Sequence, residues 1–422
     1  MFQILRNAWK IPDLRKKLLY TILLLLIFRL GSFIPVPGMS REALAELVRG
    51  ENSLFGFLNT LTGGAFEMAS IFAMSISPYI TASIIMNLLT VAIPSLEKLA
   101  KEGEEGRKII AQYTRYGTVI LGFVQATGLY FGLSGAVETR GWLSYVTITL
   151  TFTAGTAFLM WLGEQITEKG VGNGISLIIF AGIVARIPAG VIAIYEYYRM
   201  GELNIFTLTL FLAFALIVIA AIVAMTQAER KIPVQYAKRV VGRKMYGGQS
   251  THIPIKVNTA GVIPIIFAMS IMAFPSTIAQ FFTTPVPGTF WARFLAFISP
   301  DSWFYGAFYF IMIIFFTFFY TAITFNPIEI ANNMKKNGGF IPGIRPGKPT
   351  SDYINRVLSR VVLVGAIFLG AIAVLPIFLN YGVGINIFFG GTGLLIVVNV
   401  ALETVKQLES QMLMRHYKGF LE

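Results

Sequence analysis

Three stretches of this sequence carry residue types that chemistry needs. "GLSG" at residues 132–135 has the Gly-x-Ser-Gly form of a serine nucleophile loop. Such a serine needs a base within hydrogen-bond reach, and the only two histidines, His252 and His416, fall in segments that the topology below puts across a membrane from it. "GVGNG" at 170–174 has the glycines of a phosphate-cradling loop. No strand precedes it and no lysine follows, so it reads as a tight connection between two helices. The third stretch, "QYAKRVVGRKMY" at 235–246, interleaves aromatic and cationic groups. That pattern suits docking to an acidic or phosphate-rich partner.

The inventory excludes most catalysis. There is no cysteine, hence no thiol chemistry and no disulfide. No run of His, Asp and Glu has metal-ligand spacing. The expectation is a protein that is not an enzyme and that has no cofactor and no metal.

The elements that position these residues are membrane helices. Of 422 residues, 55% are hydrophobic and 13% charged, where soluble domains hold about a quarter charged. Crossing the hydrocarbon core takes about 20 mainly apolar residues. Ten runs qualify: 18–36, 75–94, 113–134, 143–163, 174–197, 204–226, 258–282, 303–325, 357–379 and 385–404. The first resembles a secretory signal, but it has no small-residue cleavage site and Pro35 and Pro37 follow, so an uncleaved span is expected.

Charge sets the orientation. With both termini cytoplasmic, 27 of the 34 lysines and arginines lie inside and 5 outside, while Arg29 and Arg186 fall within spans. That split fits the positive-inside rule. Two cytoplasmic loops, 227–257 and 326–356, are long, basic and rich in Gly and Pro. The tail "ETVKQLESQMLMRHYKGFLE" is amphipathic enough for a brief helix.

One stretch breaks the pattern of a plain span. "LTGGAFEMASIFAMSISPYITASIIMNLLTVAIP", 61–94, opens on Gly63 and Gly64, carries Glu67 and is interrupted by Pro78. Glycines loosen the backbone, proline cannot complete a helical ladder, and a carboxylate is costly against lipid. Ion-coupled carriers place ionisable groups inside the membrane. The candidates are Arg29, Glu67 and Arg186, with Glu164 at a span end. Spans and charge alone leave carrier and channel both open.

Longer motifs narrow this. "GEQITEKGVGNGIS", "IPVQYAKR", "QSTHIPIKVNTAGVIPIIFA", "FNPIEIANNMKKNGGFIPGIRPGKPT" and "FGGTGLLIVVN" closely resemble the SecY/Sec61-alpha family. Its bacterial members are the channel subunits of the general protein translocase. The matches keep the family's order, and the likeness runs from the first span to the last. Gly393 is a small departure, standing where serine is more usual.

The resemblance implies an all-α polytopic membrane protein. Its ten transmembrane helices form two pseudo-symmetric five-helix halves, 1–200 and 201–422, around a central pore with a short plug helix near 61–73. It implies a channel that passes unfolded secretory polypeptides and releases hydrophobic segments into lipid. A partner ATPase or the translating ribosome drives it.

Carried over by position, Ile80, Ile84, Ile175, Ile179, Ile266 and Ile396 form the pore ring, and Gly63, Gly64 and Glu67 belong to the plug. Asn87 and Ser270 face each other across a lateral gate, with Pro264 and Pro275 kinking the seventh span. Arg239, Arg243, Lys244 and Arg345 dock the SecA ATPase or ribosomal RNA. Further partners implied are SecE and SecG, signal sequences, nascent polypeptides and the lipid bilayer. The implied location is the bacterial cytoplasmic membrane.

Overall fold

The protein, as a computed structural model, is described here for residues 2–49, 59, 62–201, 204–236, 239–241, 244–246, 250–279, 302–383 and 391–418. The first part holds α1 (Phe2–Lys10), α2 (Pro12–Gly31), α3 (Arg41–Arg49), α4 (Ser77–Ala92), α5 (Pro94–Lys101) and α6 (Glu104–Gly132). It continues with α7 (Trp142–Lys169), α8 (Gly174–Ala185) and α9 (Ile187–Arg199). The second part holds α10 (Ile205–Gln227), β1 (Glu229–Tyr236), β2 (Arg239–Val241), β3 (Lys244–Tyr246), β4 (Ser250–Lys256) and α11 (Ile263–Ala279). It ends with α12 (Trp303–Thr324), α13 (Pro327–Lys336), β5 (Gly339–Phe340), α14 (Lys348–Val383) and α15 (Gly391–Lys418).

Each of the ten apolar runs falls on helix. Five stretches are by themselves long and apolar enough to cross a membrane: 142–169, 174–196, 205–227, 303–336 and 348–377. A sixth arises if α4 and α5, bent by 101° at Ile93, count as one. The others carry charged turns at one end, as in α6 and α15, or are shorter, as in α11. Residues 280–282 and 385–390 of the expected spans lie outside the described residues. Leu210, Leu212, Leu216 and Ile217 on α10 are all more than half exposed. An apolar face turned outward on this scale belongs against lipid.

Local chemistry explains the breaks. The fifth span is two helices meeting at Arg186, because Pro188 in the first turn of α9 offers no backbone donor. In "GVGNG" the loop reading holds: Gly172 adopts φ +86° and the Asn173 side chain caps α8 by accepting from the Ser176 N–H. Gly174 lies so close to the Gly163 carbonyl that a Cβ would sit 1.9 Å from it. Several hydroxyls buried in the spans bond to their own helices. Thr118 donates to the Thr114 carbonyl at 2.7 Å and Thr317 to the Ile313 carbonyl at 2.6 Å.

The basic loops contain structure that a helix-only reading missed. β1 pairs antiparallel with β4, Ile232 opposite Ile253, and with β5, Gln235 opposite Phe340, giving the order β4-β1-β5. The two loops thus share one sheet. Ile232, Val234 and Ile255 are buried with Met334, Ile341 and Leu358 beneath it. The alternation was present in "KIPVQ" and "HIPIK", but Pro233 and Pro254 read as loop residues. β2 and β3 form a separate two-stranded ribbon, Val240 opposite Met245. The tail is no separate helix: α15 runs unbroken from Gly391 to Lys418.

Gly155 on α7 lets the chain at Ile71 pass close beneath that helix, where a Cβ would sit 2.0 Å from the Ile71 carbonyl oxygen. Gly155→Val is expected to destabilise the protein by about 1–3 kcal/mol through overpacking. A lower midpoint of thermal unfolding in detergent reads this out. An unchanged midpoint would show that the chain does not pass there.

Candidate functional site

Residues 62–76 do not form the expected short helix. They run as successive turns, because Gly63, Gly64, Ala69 and Ser75 adopt φ of 67°, 88°, 49° and 51°. Left-handed residues interrupt an α-helical ladder. The segment is nevertheless well held. Ile71 N–H donates to the Ile34 carbonyl at 3.0 Å and Val36 N–H to the Ala69 carbonyl at 2.8 Å. The Phe72 ring stacks between Phe28 and Phe158, with centroids 6.1 and 6.0 Å away.

The expected plug residues sit in the first turns of this segment. Gly63 abuts α8 so tightly that a Cβ would lie 2.5 Å from the Gly182 carbonyl oxygen. Its own carbonyl accepts from Arg29 Nη1 at 3.0 Å. Gly64 faces open space. The Glu67 carboxylate accepts from Asn59 Nδ2 at 3.1 Å, and the Glu67 N–H donates to Asn59 Oδ1 at 3.0 Å. Arg29, Asn59 and Gly182 were not tied to the plug by sequence reasoning. No spacing links residues so far apart in the chain.

Five of the six expected ring isoleucines share one hydrophobic cluster. Ile179 on α8 and Ile396 on α15 are buried in it, with Ile80, Ile175 and Ile266 half-buried against it. Phe72 and Ile76 close the same cluster. Ile84 differs. One turn beyond Ile80, it lies in the adjoining core formed with α10, α11 and α12. Ile80 touches both cores, so α4 joins them. Ile175 leans over Gly163 of α7, where its Cδ1 occupies the space of a missing Cβ. Gly393 costs nothing here, since a Cβ there would meet Ile183 at an ordinary 3.5 Å. One apolar cluster thus gathers residues from α4, α8, α11 and α15. Its isoleucine side chains offer no hydrogen bond.

The expected gate elements also meet: α11 packs against α4, α6 and α12. The expected polar contact does not form. Ser270 Oγ donates to its own Ile266 carbonyl at 2.9 Å, and no hydrogen bond joins it to Asn87. In a span with no water, a serine hydroxyl finds its nearest acceptor one turn back. Pro264 lies in the first turn of α11, so only Pro275 interrupts the helix interior. The polar link at this end of α11 is elsewhere: Thr226 Oγ1 lies 2.7 Å from Oδ1 of the fully buried Asn399, with Asn258 Nδ2 3.4 Å from the same oxygen.

Of the expected docking residues, Arg239 lies on β2 and Lys244 on β3. Arg243 lies outside the described residues. Arg345 is exposed in the turn before α14, its carbonyl accepting from Thr350 Oγ1 at 2.8 Å. Among the described residues no group of three His, Cys, Asp or Glu could hold a metal.

The apolar helices and the clusters between them define a polytopic helical membrane protein. The SecY family profile matches residues 70–405. A protein translocase subunit SecY of Halalkalibacterium halodurans is 52% identical, with the whole of each chain covered. The chain belongs to the SecY family. Among solved structures, the fold matches at TM-score 0.67 and 20% identity a SecY whose plug domain is described as stabilising the closed channel and maintaining a membrane seal. That match covers 94% of this chain and 92% of the other. It also matches Sec61 in the canine ribosome-channel complex from the endoplasmic reticulum, at TM-score 0.61 and 18% identity, covering 94% and 92%.

Ile396→Asn places an amide among the buried residues of the isoleucine cluster, at a cost of about 1–3 kcal/mol for an unpaired polar group. Raised ion conductance across proteoliposomes holding the idle protein is the expected outcome, together with passage of precursors bearing defective signal sequences. Conductance and stringency equal to the parent would count against a sealing role for this cluster.

Proposed function

We propose that this chain is the pore of a protein translocase, passing unfolded polypeptides through an aliphatic collar and releasing hydrophobic segments sideways into lipid. The observation that carries the reading is the collar itself: aliphatic side chains from both halves of a SecY-family bundle meet in one cluster. Branched alkyl groups grip no particular sequence, yet close around an extended chain by dispersion alone. Ile80, Ile84, Ile175, Ile179, Ile266 and Ile396 act as the ring, with Ile84 on its inner border. Residues 62–73 act as the plug, by analogy with the plug domain of the related SecY.

The side exit in this reading runs between α4 and α6 on one side and α11 and α12 on the other. Asn87 and Ser270 line it, and packing rather than a bond between them holds it closed. The halves 1–200 and 201–422 part there, where α4 packs against both clusters.

The sheet-bearing loops face the cytoplasm, as do both termini, and the membrane is the bacterial cytoplasmic membrane. The ribosome-bound Sec61 supports a ribosome as one partner. The SecA ATPase is the other, and SecE and SecG flank the channel. The chain does no chemistry in this reading. Energy comes from the partner, transmitted through Arg239, Arg243, Lys244 and Arg345.

Proteoliposomes challenged with an unfolded secretory precursor test the function. Transport that requires SecA, ATP and a signal sequence is expected. Uptake of a small solute without them would instead mark a carrier. For the docking surface, four phosphate contacts predict that log K for ribosome binding falls against log salt with a slope of about −3. A slope near zero would leave those charges with a topological role alone.

A further inference from the structure

The plug reading leaves two charges unexplained. Arg29 and Arg186 fall within apolar spans, where an ionisable group is costly and marks a function by default. Both converge on the first turns of the 62–76 segment. Arg29 Nη1 donates to the Gly63 carbonyl at 3.0 Å, and its guanidinium lies 4.8 Å from the Phe33 ring centroid. That ring fixes the guanidinium's direction.

Arg186 is reached by a different route. Gly63 presses against Gly182 of α8. Four residues beyond each of these glycines, Glu67 lies within electrostatic reach of Arg186. Arg186 caps the C-terminus of α8, where its charge is favoured by the helix dipole. Asn59 orients the opposing carboxylate with a pair of hydrogen bonds. The same short turn is therefore tied to α2 through a backbone carbonyl and to α8 through a charge.

We propose that Arg29 and Arg186 are two clasps that keep the plug seated. Arg29 holds the Gly63 carbonyl and the charge of Arg186 attracts the Glu67 carboxylate across the Gly63–Gly182 contact, so unseating works against both. The inference rests on the plug reading and adds to it which residues set the closed-state bias. Neither clasp is apolar, so each is weakened by water entering the outer vestibule, whereas the collar is not. Plug release and collar parting are then separate steps.

Glu67→Gln isolates the second clasp, because glutamine still accepts from Asn59 but carries no charge for Arg186. In the full chain reconstituted with its co-purifying subunits, this variant and Arg186→Gln should each raise idle ion conductance about tenfold. The exchange Glu67→Arg with Arg186→Glu should return it to within about twofold of the parent. A second readout uses the absence of cysteine: Met68→Cys, half-buried in the segment, should react faster with a water-soluble maleimide when combined with Glu67→Gln. Unchanged conductance and unchanged labelling in the single variants would overturn the clasps. If deleting residues 62–68 still raises conductance in that preparation, the plug reading survives their failure. A deletion without effect would remove the plug reading beneath them.

Discussion

The collar proposed for this channel is built of alkyl groups, which have no directional bond to hold it shut or to grip what passes. The collar's cohesion is dispersion and exclusion of water, each fully buried isoleucine stabilising it by about 1.5–3 kcal/mol. Such contacts re-form around any extended chain, because they ask only for close approach. They also set no threshold for opening, and polar contacts elsewhere in the molecule supply it. The hydroxyls of Thr118, Thr317 and Ser270 are unavailable for this, each committed to its own helix. Among the described residues, polar contacts between elements include those at the turn near Gly63 and Glu67, the buried Asn399–Thr226 contact and the Arg115–Glu164 ion pair between α6 and α7.

Irregular backbone is tolerated at membrane depth only where protein encloses it. The 62–76 segment meets that condition through small residues on its neighbours. Gly155 admits the Ile71 carbonyl, Gly31 admits the Phe72 ring and Gly182 admits Gly63. The later part of the segment is therefore bound into the first half by aromatic stacking and strand-like pairing. Its first turns are held by polar contacts.

Much of this was legible in the sequence, and what was not has definite causes. Apolar runs of span length gave all ten helical regions, since burial in lipid selects composition strongly. The Gly172 and Asn173 connection could be read because turn and cap chemistry are local. The β1–β4 pairing was not, since Pro233 and Pro254 masked a two-residue alternation. The turns at 62–73 stand where the family likeness implies a short helix, and Ala69 gives no sign in the sequence that it will adopt a positive φ. The ring isoleucines were identified by family likeness rather than by spacing: Ile80 and Ile84 at i, i+4 look like any packing pair, and the structure indeed divides them between two cores. Long-range partners such as Arg29 for Gly63 have no sequence signal at all.

The central claim is that the collar closes around a moving polypeptide. It is tested most directly by photo-crosslinking a precursor arrested in transit, with a benzoylphenylalanine placed in turn at Ile80, Ile179, Ile266 and Ile396. Leu212 and Leu216, exposed on α10, serve as lipid-side controls. The account predicts adducts to the arrested chain from the four collar positions and none from the two on α10. Adducts from α10 with none from the collar would contradict it.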